Sequence, residues 1–251
     1  MDTLELQKDI IWIDTDEKFI RYRWEDKAGE LSRNIQVVSI EDFDLFRDKK
    51  NYLLPRHVNV GTGLVRHPYN PDKYIKIQEA EDIVYNEKML YVSDIIRHLG
   101  CKKFKWHLEI IDISERNSSI EMNGTYKVAS ADINFKRKEE DKYSNLIKME
   151  ESYESKADYS IDDYNKAIDK AKKYNLFEES DIYTLISKRN PKDNYLTKTL
   201  TISIDLSKEV NNLFDSAFSL NALNKVFSIN ADFMETLRYK KTIKVIMELQ
   251  F

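Results

Sequence analysis

Residues 239 to 251 place Tyr239, Ile243, Val245, Met247, Leu249 and Phe251 on one parity, which only Lys241 interrupts. Alternation at every second residue sends side chains to opposite faces of a strand, and no helix satisfies it. This run therefore reads as a strand with one apolar and one wet face. Two other runs obey the same rule. Phe104, Trp106, Leu108 and Ile110 oppose Lys103, Lys105, His107 and Glu109, while Leu200, Ile202, Ile204 and Leu206 oppose Thr199, Thr201, Ser203 and Asp205. Half-wet strands belong to antiparallel sheets covered on one side.

Residues 120 to 138 change parity: Ile120, Met122, Tyr126 and Val128 keep one, Ile133 and Phe135 the other. As one strand the segment would span about 60 Å, which predicts a bulge or bend near Ser130. Val226 to Phe233 is a further strand candidate. Helices are expected between these strands. Ala80, Val84, Tyr91, Ile95 and Leu99 form a stripe over 78 to 99, and Gly100 is placed to end that helix. Ser160 and Asp163 have the spacing of a capping box. A short helix over 180 to 187 stops before Asn190-Pro191, and Ser207 is placed to cap a helix burying Val210, Leu213, Phe214, Ala217 and Leu220.

At the start of the chain IIWIDTDEKFIRYRW reads as two strands around a turn, with a third strand at Ile35 to Ile40. The fold class is α+β, with a mainly antiparallel, bent or twisted sheet and helices between strands. We expect one domain over 1–251: a β-rich section 1–53, a connector 54–77, and a helix plus main sheet over 78–251 that carries a charged and helical insertion at 139–190. Within it the charge-dense run 136 to 156 reads as an exposed arm.

Charge removes some functions. With 40 basic and 44 acidic residues the net charge is −4 and neither half of the chain is one-signed, so no long-range field recruits nucleic acid or an anionic membrane. The single Cys101 has no internal disulfide partner and no secretory signal is apparent, so a reducing cytoplasm is the expected compartment.

The stretch LPRHVNVGTGLVRHPYNP, residues 54 to 71, concentrates rare residue types. Arg56-His57 and Arg66-His67 lie in it, and Arg97-His98 repeats the pair. A neighbouring cation favours neutral imidazole, a base or ligand, while arginine can hold phosphate or carboxylate in a fork. Adjacent strand residues nevertheless point apart, which favours an ordered connector. Gly61 and Gly63 would allow a backbone to approach phosphate, or a turn to adopt positive φ. On the 78 to 99 helix Glu87, Asp94 and His98 fall within about 40° of one another and could form an acid–base or metal set. Asp14-Thr15-Asp16 after IIWI has the strand-then-DxD form of aspartate-nucleophile phosphotransferases, but reads more simply as a polar hairpin turn. Arg238, Lys240 and Lys244, beside Tyr239, offer a basic strand face for phosphate or lipid headgroups. The sequence has no HExxH, paired CxxC, P-loop or GxSxG motif, so no cofactor or metal is expected.

The layout of residues 103 to 251 resembles that of perforin-like and gasdermin-like pore-forming proteins. That resemblance, one of layout without a diagnostic motif, implies a bent antiparallel sheet whose helical excursions rearrange into membrane-spanning hairpins. The chain lacks the N-terminal cysteine that bacterial gasdermins tend to have. The expected function is a non-catalytic effector or interaction protein that changes shape and self-assembles, meeting a protein partner, another copy, or membrane lipid on activation. The alternative is a metal- or phosphate-handling hydrolase using the His, Asp and Glu residues above.

Overall fold

The computed structural model describes residues 6, 8–24, 35–48, 52–115, 150–152, 159–193, 196–218, 237 and 239–251. The chain divides into two compact units: Met1–Val84 with Ser114–Asn117 and Glu209–Lys240, and Tyr85–Ile113 with Ser118–Lys208 and Lys241–Phe251. Among the described residues, helices and two mostly antiparallel four-stranded sheets make this an α+β fold.

The first unit holds β1 (Ile10–Asp14), α1 (Asp16–Trp24), β2 (Ile35–Ser39), α2 (Ile40–Asp48), β3 (Gly63–His67) and β4 (Asn70–Lys76), in sheet order β2-β1-β3-β4. Every residue of β1 is buried, as a central strand covered on both faces requires. Leu6, Ile11, Ile13, Val38, Phe43, Phe46, Leu64 and Tyr74 form the core on one side.

Two expectations are corrected here. The segment after β1 is a helix and not a second strand of a hairpin, because Asp14 ends β1 and Thr15 starts a helical turn. The Phe19 N–H donates to Thr15 O at 2.9 Å, the Lys18 N–H reaches Thr15 Oγ1 at 3.4 Å, and Asp16 and Glu17 put negative charge at the positive end of α1. The second correction follows from the first: β1 and β2 pair in parallel, Ile10 opposite Ile35 through Asp14 opposite Ser39, so the N-terminal section contains a strand–helix–strand unit.

The stretch 54 to 71, read as connector, contains β3 and the start of β4. Gly63 lies opposite Trp12 of β1, and β3 turns into β4 through Pro68-Tyr69. Gly61 has φ +85°, a conformation that only glycine adopts freely, and its N–H donates to Ile13 O at 2.8 Å. That position requires its glycine.

The second unit contains most of α3 (Ala80–His98), which follows one 3-10 turn at Ile77–Glu79. It continues with β5 (Lys103–Glu115), β6 (Glu150–Ser152), α4 (Ile161–Lys173), α5 (Ser180–Ser187), β7 (Thr199–Asp205) and β8 (Tyr239–Gln250). Helix α6 (Lys208–Phe218) belongs, from Glu209 onward, to the first unit. The sheet order is β6-β5-β8-β7. Gly100 ends α3 at φ +81°, and Ser160 and Asp163 close a reciprocal capping box on α4. At the start of α6, Asp205 Oδ1 accepts from the Lys208 N–H at 3.1 Å, while the Ser207 hydroxyl donates to Asp205 and accepts from the Ile243 N–H at 3.0 Å. Asp205 therefore does the capping expected of Ser207.

The apolar parity of the three alternating strands is the covered one. Phe104, Trp106, Ile202, Ile204, Ile243, Val245, Met247 and Leu249 are buried, and Lys241 is buried on that same face. The strand expectations at 120 to 138 and 226 to 233 lie outside the described residues, as does the arm 136 to 156 except for β6. Among the described residues no helix is long and apolar enough to cross a membrane.

Candidate functional site

The Arg-His pairs do not share one environment. Arg56 and His57 are exposed on the loop before β3. Arg66 is a strut: its Nε lies 3.2 Å from Asp9, Nη1 donates to Pro71 O at 3.2 Å, and the guanidinium stands 5.3 Å from the Tyr74 ring centre. His67 is turned inward, where Nδ1 accepts from the Tyr69 N–H at 3.2 Å and helps close the β3–β4 turn. Burial pushes the Tyr74 hydroxyl up to about 12, so it donates to Lys8 O at 2.8 Å as neutral phenol.

Asp14 ends β1 and Asp16 opens α1, beside the carboxyl ends of the parallel pair β1 and β2, a frequent location for ligands in α/β sheets. Asp14 is buried, and its carboxylate accepts from Trp12 Nε1 at 3.2 Å and the Thr15 N–H at 2.8 Å. Asp16 accepts from the Ser39 hydroxyl, and its hydrogen bond and charge raise the pKa of Glu41. Among the described residues no group of three His, Cys, Asp or Glu side chains is placed to hold a metal ion.

The stripe on α3 is drawn into a network within the second unit. Asp94 Oδ2 receives Lys170 Nζ at 2.8 Å and the Tyr174 hydroxyl at 2.9 Å, and Oδ1 receives Arg97 Nη2 at 2.8 Å. His98 Nε2 stands 3.7 Å from Oδ1. Glu87 accepts from the Tyr91 hydroxyl at 2.8 Å, and Tyr91 stacks on Tyr174 at 4.0 Å. Glu87 and Asp94 are thus joined through two tyrosines that fasten α3 to α4. Lys170 and Tyr174, which complete the network, have no signal in the sequence beyond their place in the last turn and at the C-cap of α4.

These contacts predict an acid-sensitive unit. Burial would raise the Asp94 pKa, but hydrogen bonds from Lys170 and Tyr174, with the charges of Lys170 and His98, hold it below the usual 3.8. Burial, aided by the charges of Arg97, Lys170 and Lys166, lowers the His98 pKa from 6.5 against the pull of Asp94. The unfolded chain therefore takes up the His98 proton first as pH falls. His98 contributes its stability fully above 6.5 and loses it below, while Asp94 loses its contribution only below 3.8. The urea midpoint should fall on acidification through the mildly acidic range, and His98→Gln should flatten that fall. An unchanged slope in the variant would contradict the assignment.

Cys101 is buried, with its thiol directed at Lys103 O at 3.2 Å and Gln250 O at 3.5 Å. Burial pushes its pKa up to about 11, which makes it inert at neutral pH. On β8, Lys240 and Lys244 keep one parity and the buried Lys241 keeps the other. Lys240 is exposed, 3.8 Å from Asp215, and Lys244 lies opposite Asp205, but Lys241 points to the covered side. Arg238 lies outside the described residues.

The wet side of the second sheet carries an open hollow. Lys103, Lys105, Thr199, Thr201, Glu248 and Gln250 line this shallow hollow of about 400 Å³ across β5, β8 and β7. His107 Nε2 lies 3.6 Å from Glu248 on this side. The hollow mixes both charges and hydroxyls, so it lacks the one-signed field of a phosphate site.

Beside it runs the outer edge of β7. The Phe251 N–H donates to Lys198 O at 2.9 Å, and the Leu206 N–H donates to Ile243 O at 2.9 Å. Between these points β7 pairs with β8 in unbroken antiparallel register, Thr199 opposite Gln250 through Asp205 opposite Lys244. Hydrogen-bonded pairs alternate along such a ladder. Even-numbered residues of β7 therefore turn their N–H and C=O groups to β8, and Thr199, Thr201, Ser203 and Asp205 turn theirs outward. Among the described residues β7 ends the sheet. The alternation of TLTISID was legible in the sequence; its place at an edge was not.

No family model, curated protein or solved structure matches the chain.

Proposed function

We propose that this is a non-catalytic interaction protein that works by self-assembly through the sheet of its second unit, with assembly on a membrane as its most specific form. The observation that carries the reading is the edge of β7. Sheet edges are ordinarily blunted by lysine, proline, a bulge or an inward charge. TLTISID has no lysine and no proline, and its register with β8 has no bulge; its C-terminal end is covered, where Asp205 O accepts from Lys88 Nζ at 2.7 Å, so Thr199, Thr201 and Ser203 carry the reading. Thr199 and Thr201 are exposed along it. The acid and base residues at Asp94, Glu87 and Asp14 are engaged in holding elements together, which fits a structural role for them better than a catalytic one.

Sedimentation velocity over a range of concentrations tests this. The wild-type average mass should rise with concentration, and the Thr201→Lys/Ser203→Lys variant should associate at least about tenfold more weakly with an unchanged circular dichroism spectrum. A wild-type protein that stays monomeric throughout would overturn the proposal.

A further inference from the structure

Tyr91 and Tyr174 meet face to face within the second unit, with ring centres 4.0 Å apart and planes 10° from parallel. At that separation carbons of one ring touch carbons of the other. Each hydroxyl donates to a carboxylate of its own, Tyr91 to Glu87 at 2.8 Å and Tyr174 to Asp94 at 2.9 Å. Both residues are partly exposed, so a small molecule reaches them. The geometry points to an oxidative modification site, at which a small one-electron oxidant joins the two rings as dityrosine and ties α3 covalently to the end of α4. This inference is independent of how the chain assembles.

The carboxylates supply what the oxidation of a phenol requires. Burial, together with the hydrogen bonds to Glu87 and Asp94, raises the pKa of both hydroxyls, so both are neutral phenols at physiological pH. A phenol that loses an electron becomes a strong acid, and the electron leaves readily when a base takes the proton with it. Glu87 and Asp94 are in place to take one proton each. At Tyr174 the need is greater, because the ammonium groups of Lys170 and Lys173, 5.8 and 5.9 Å from its ring centre, oppose positive charge on that ring. Two one-electron steps then leave two phenoxyl radicals, with both protons passed through the carboxylates to water. The radicals pair their electrons in one C–C bond, between ring carbons adjacent to the hydroxyl-bearing carbons. The hydrogens on the joined carbons move to the oxygens and restore both phenols. The net loss is two hydrogen atoms, as two electrons to the oxidant and two protons to water.

The first unit provides a contrast. The ring centres of Tyr52 and Tyr74 lie 6.0 Å apart, edge to face at 72°, and their hydroxyls donate to the backbone carbonyls of Leu6 and Lys8. A carbonyl takes up no proton at neutral pH, so this pair should stay unjoined.

Brief oxidation of dilute full-length protein with persulfate and light-activated ruthenium tris-bipyridyl tests the site, persulfate accepting two electrons and leaving as two sulfates. Peptides from the monomer, analysed by mass spectrometry, should show the product joined through Tyr91 and Tyr174 at least about tenfold above any joined through Tyr52 and Tyr74. Tyr91→Phe should remove it. Glu87→Gln, which keeps an acceptor but not a base, should lower its yield at least about tenfold with an unchanged circular dichroism spectrum. The joined protein should unfold at higher urea, because the new bond closes a loop across 83 positions (174 − 91). Wild-type protein that yields no more of the Tyr91 and Tyr174 product than of the Tyr52 and Tyr74 product would overturn the site. An undiminished yield in Glu87→Gln would overturn the role given to the carboxylate.

Discussion

Replacing Arg189 with alanine is expected to destabilise the second unit by about 2–6 kcal/mol in urea unfolding, the cost of leaving two carbonyls without their buried donor. Arg189 is only 5% exposed. Its Nε donates to Leu99 O at 3.1 Å and Nη1 to Thr197 O at 2.8 Å, so one fork holds the end of α3 to the segment that leads into β7. The guanidinium also lies 4.7 Å from the Tyr159 ring centre and 4.2 Å from that of Phe251. Burial lowers its pKa from 12.5, and a guanidinium stays charged at neutral pH. Alanine leaves two carbonyls without this donor and a gap between two rings, and each carbonyl left dry costs about 1–3 kcal/mol. Arg189→Lys should recover less than half of the loss, because a single ammonium cannot reproduce the planar fork between the rings. Full recovery with lysine would show that charge alone matters at this position.

Arg189 also marks a limit of the sequence. It follows Lys188 and precedes Asn190-Pro191, a composition typical of a surface turn, and only the meeting of α3, Tyr159 and Phe251 buries it. Where the determinants are local, the sequence is clear. The Ser160/Asp163 box, Gly100 after α3, and the alternation of β5, β7 and β8 all act within a few residues or along one strand, and each element forms as its pattern directs.

The N-terminal segment failed for the opposite reason. Asp14-Thr15-Asp16 suits a polar turn and a helix start equally, since the same oxygens that close a turn also accept N–H groups in a first helical turn. What decides between them is the parallel pairing of Ile10 with Ile35, 25 positions away (35 − 10). The site shares this difficulty. That β7 alternates and lacks lysine is readable; that it borders the sheet depends on which strands flank β8. Glu87, Asp94 and His98 all lie on α3, but the environment of Asp94 and His98 is set by Lys170 and Tyr174, more than 70 residues later (170 − 98).

A buried lysine gives the second large effect. Lys88 is completely buried on α3, and its Nζ donates to Asp205 O at 2.7 Å and lies 3.0 Å from Glu179 Oε2 at the start of α5. This contact holds the C-terminal end of β7, so it bears on the geometry of the proposed edge. Glu179→Ala should cost about 3–5 kcal/mol, because it removes a counter-charge 3.0 Å from a completely buried ammonium. The informative comparison is the double variant Lys88→Met/Glu179→Ala. Methionine keeps most of the buried stem and removes the charge, so the double variant should lose only about half as much as Glu179→Ala alone. Its remaining loss comes from Asp205 O, which no longer receives the Lys88 hydrogen bond. A double variant as unstable as the sum of the two single changes would mean that the ion pair is not the reason Glu179 matters, and that its place ahead of α5 is.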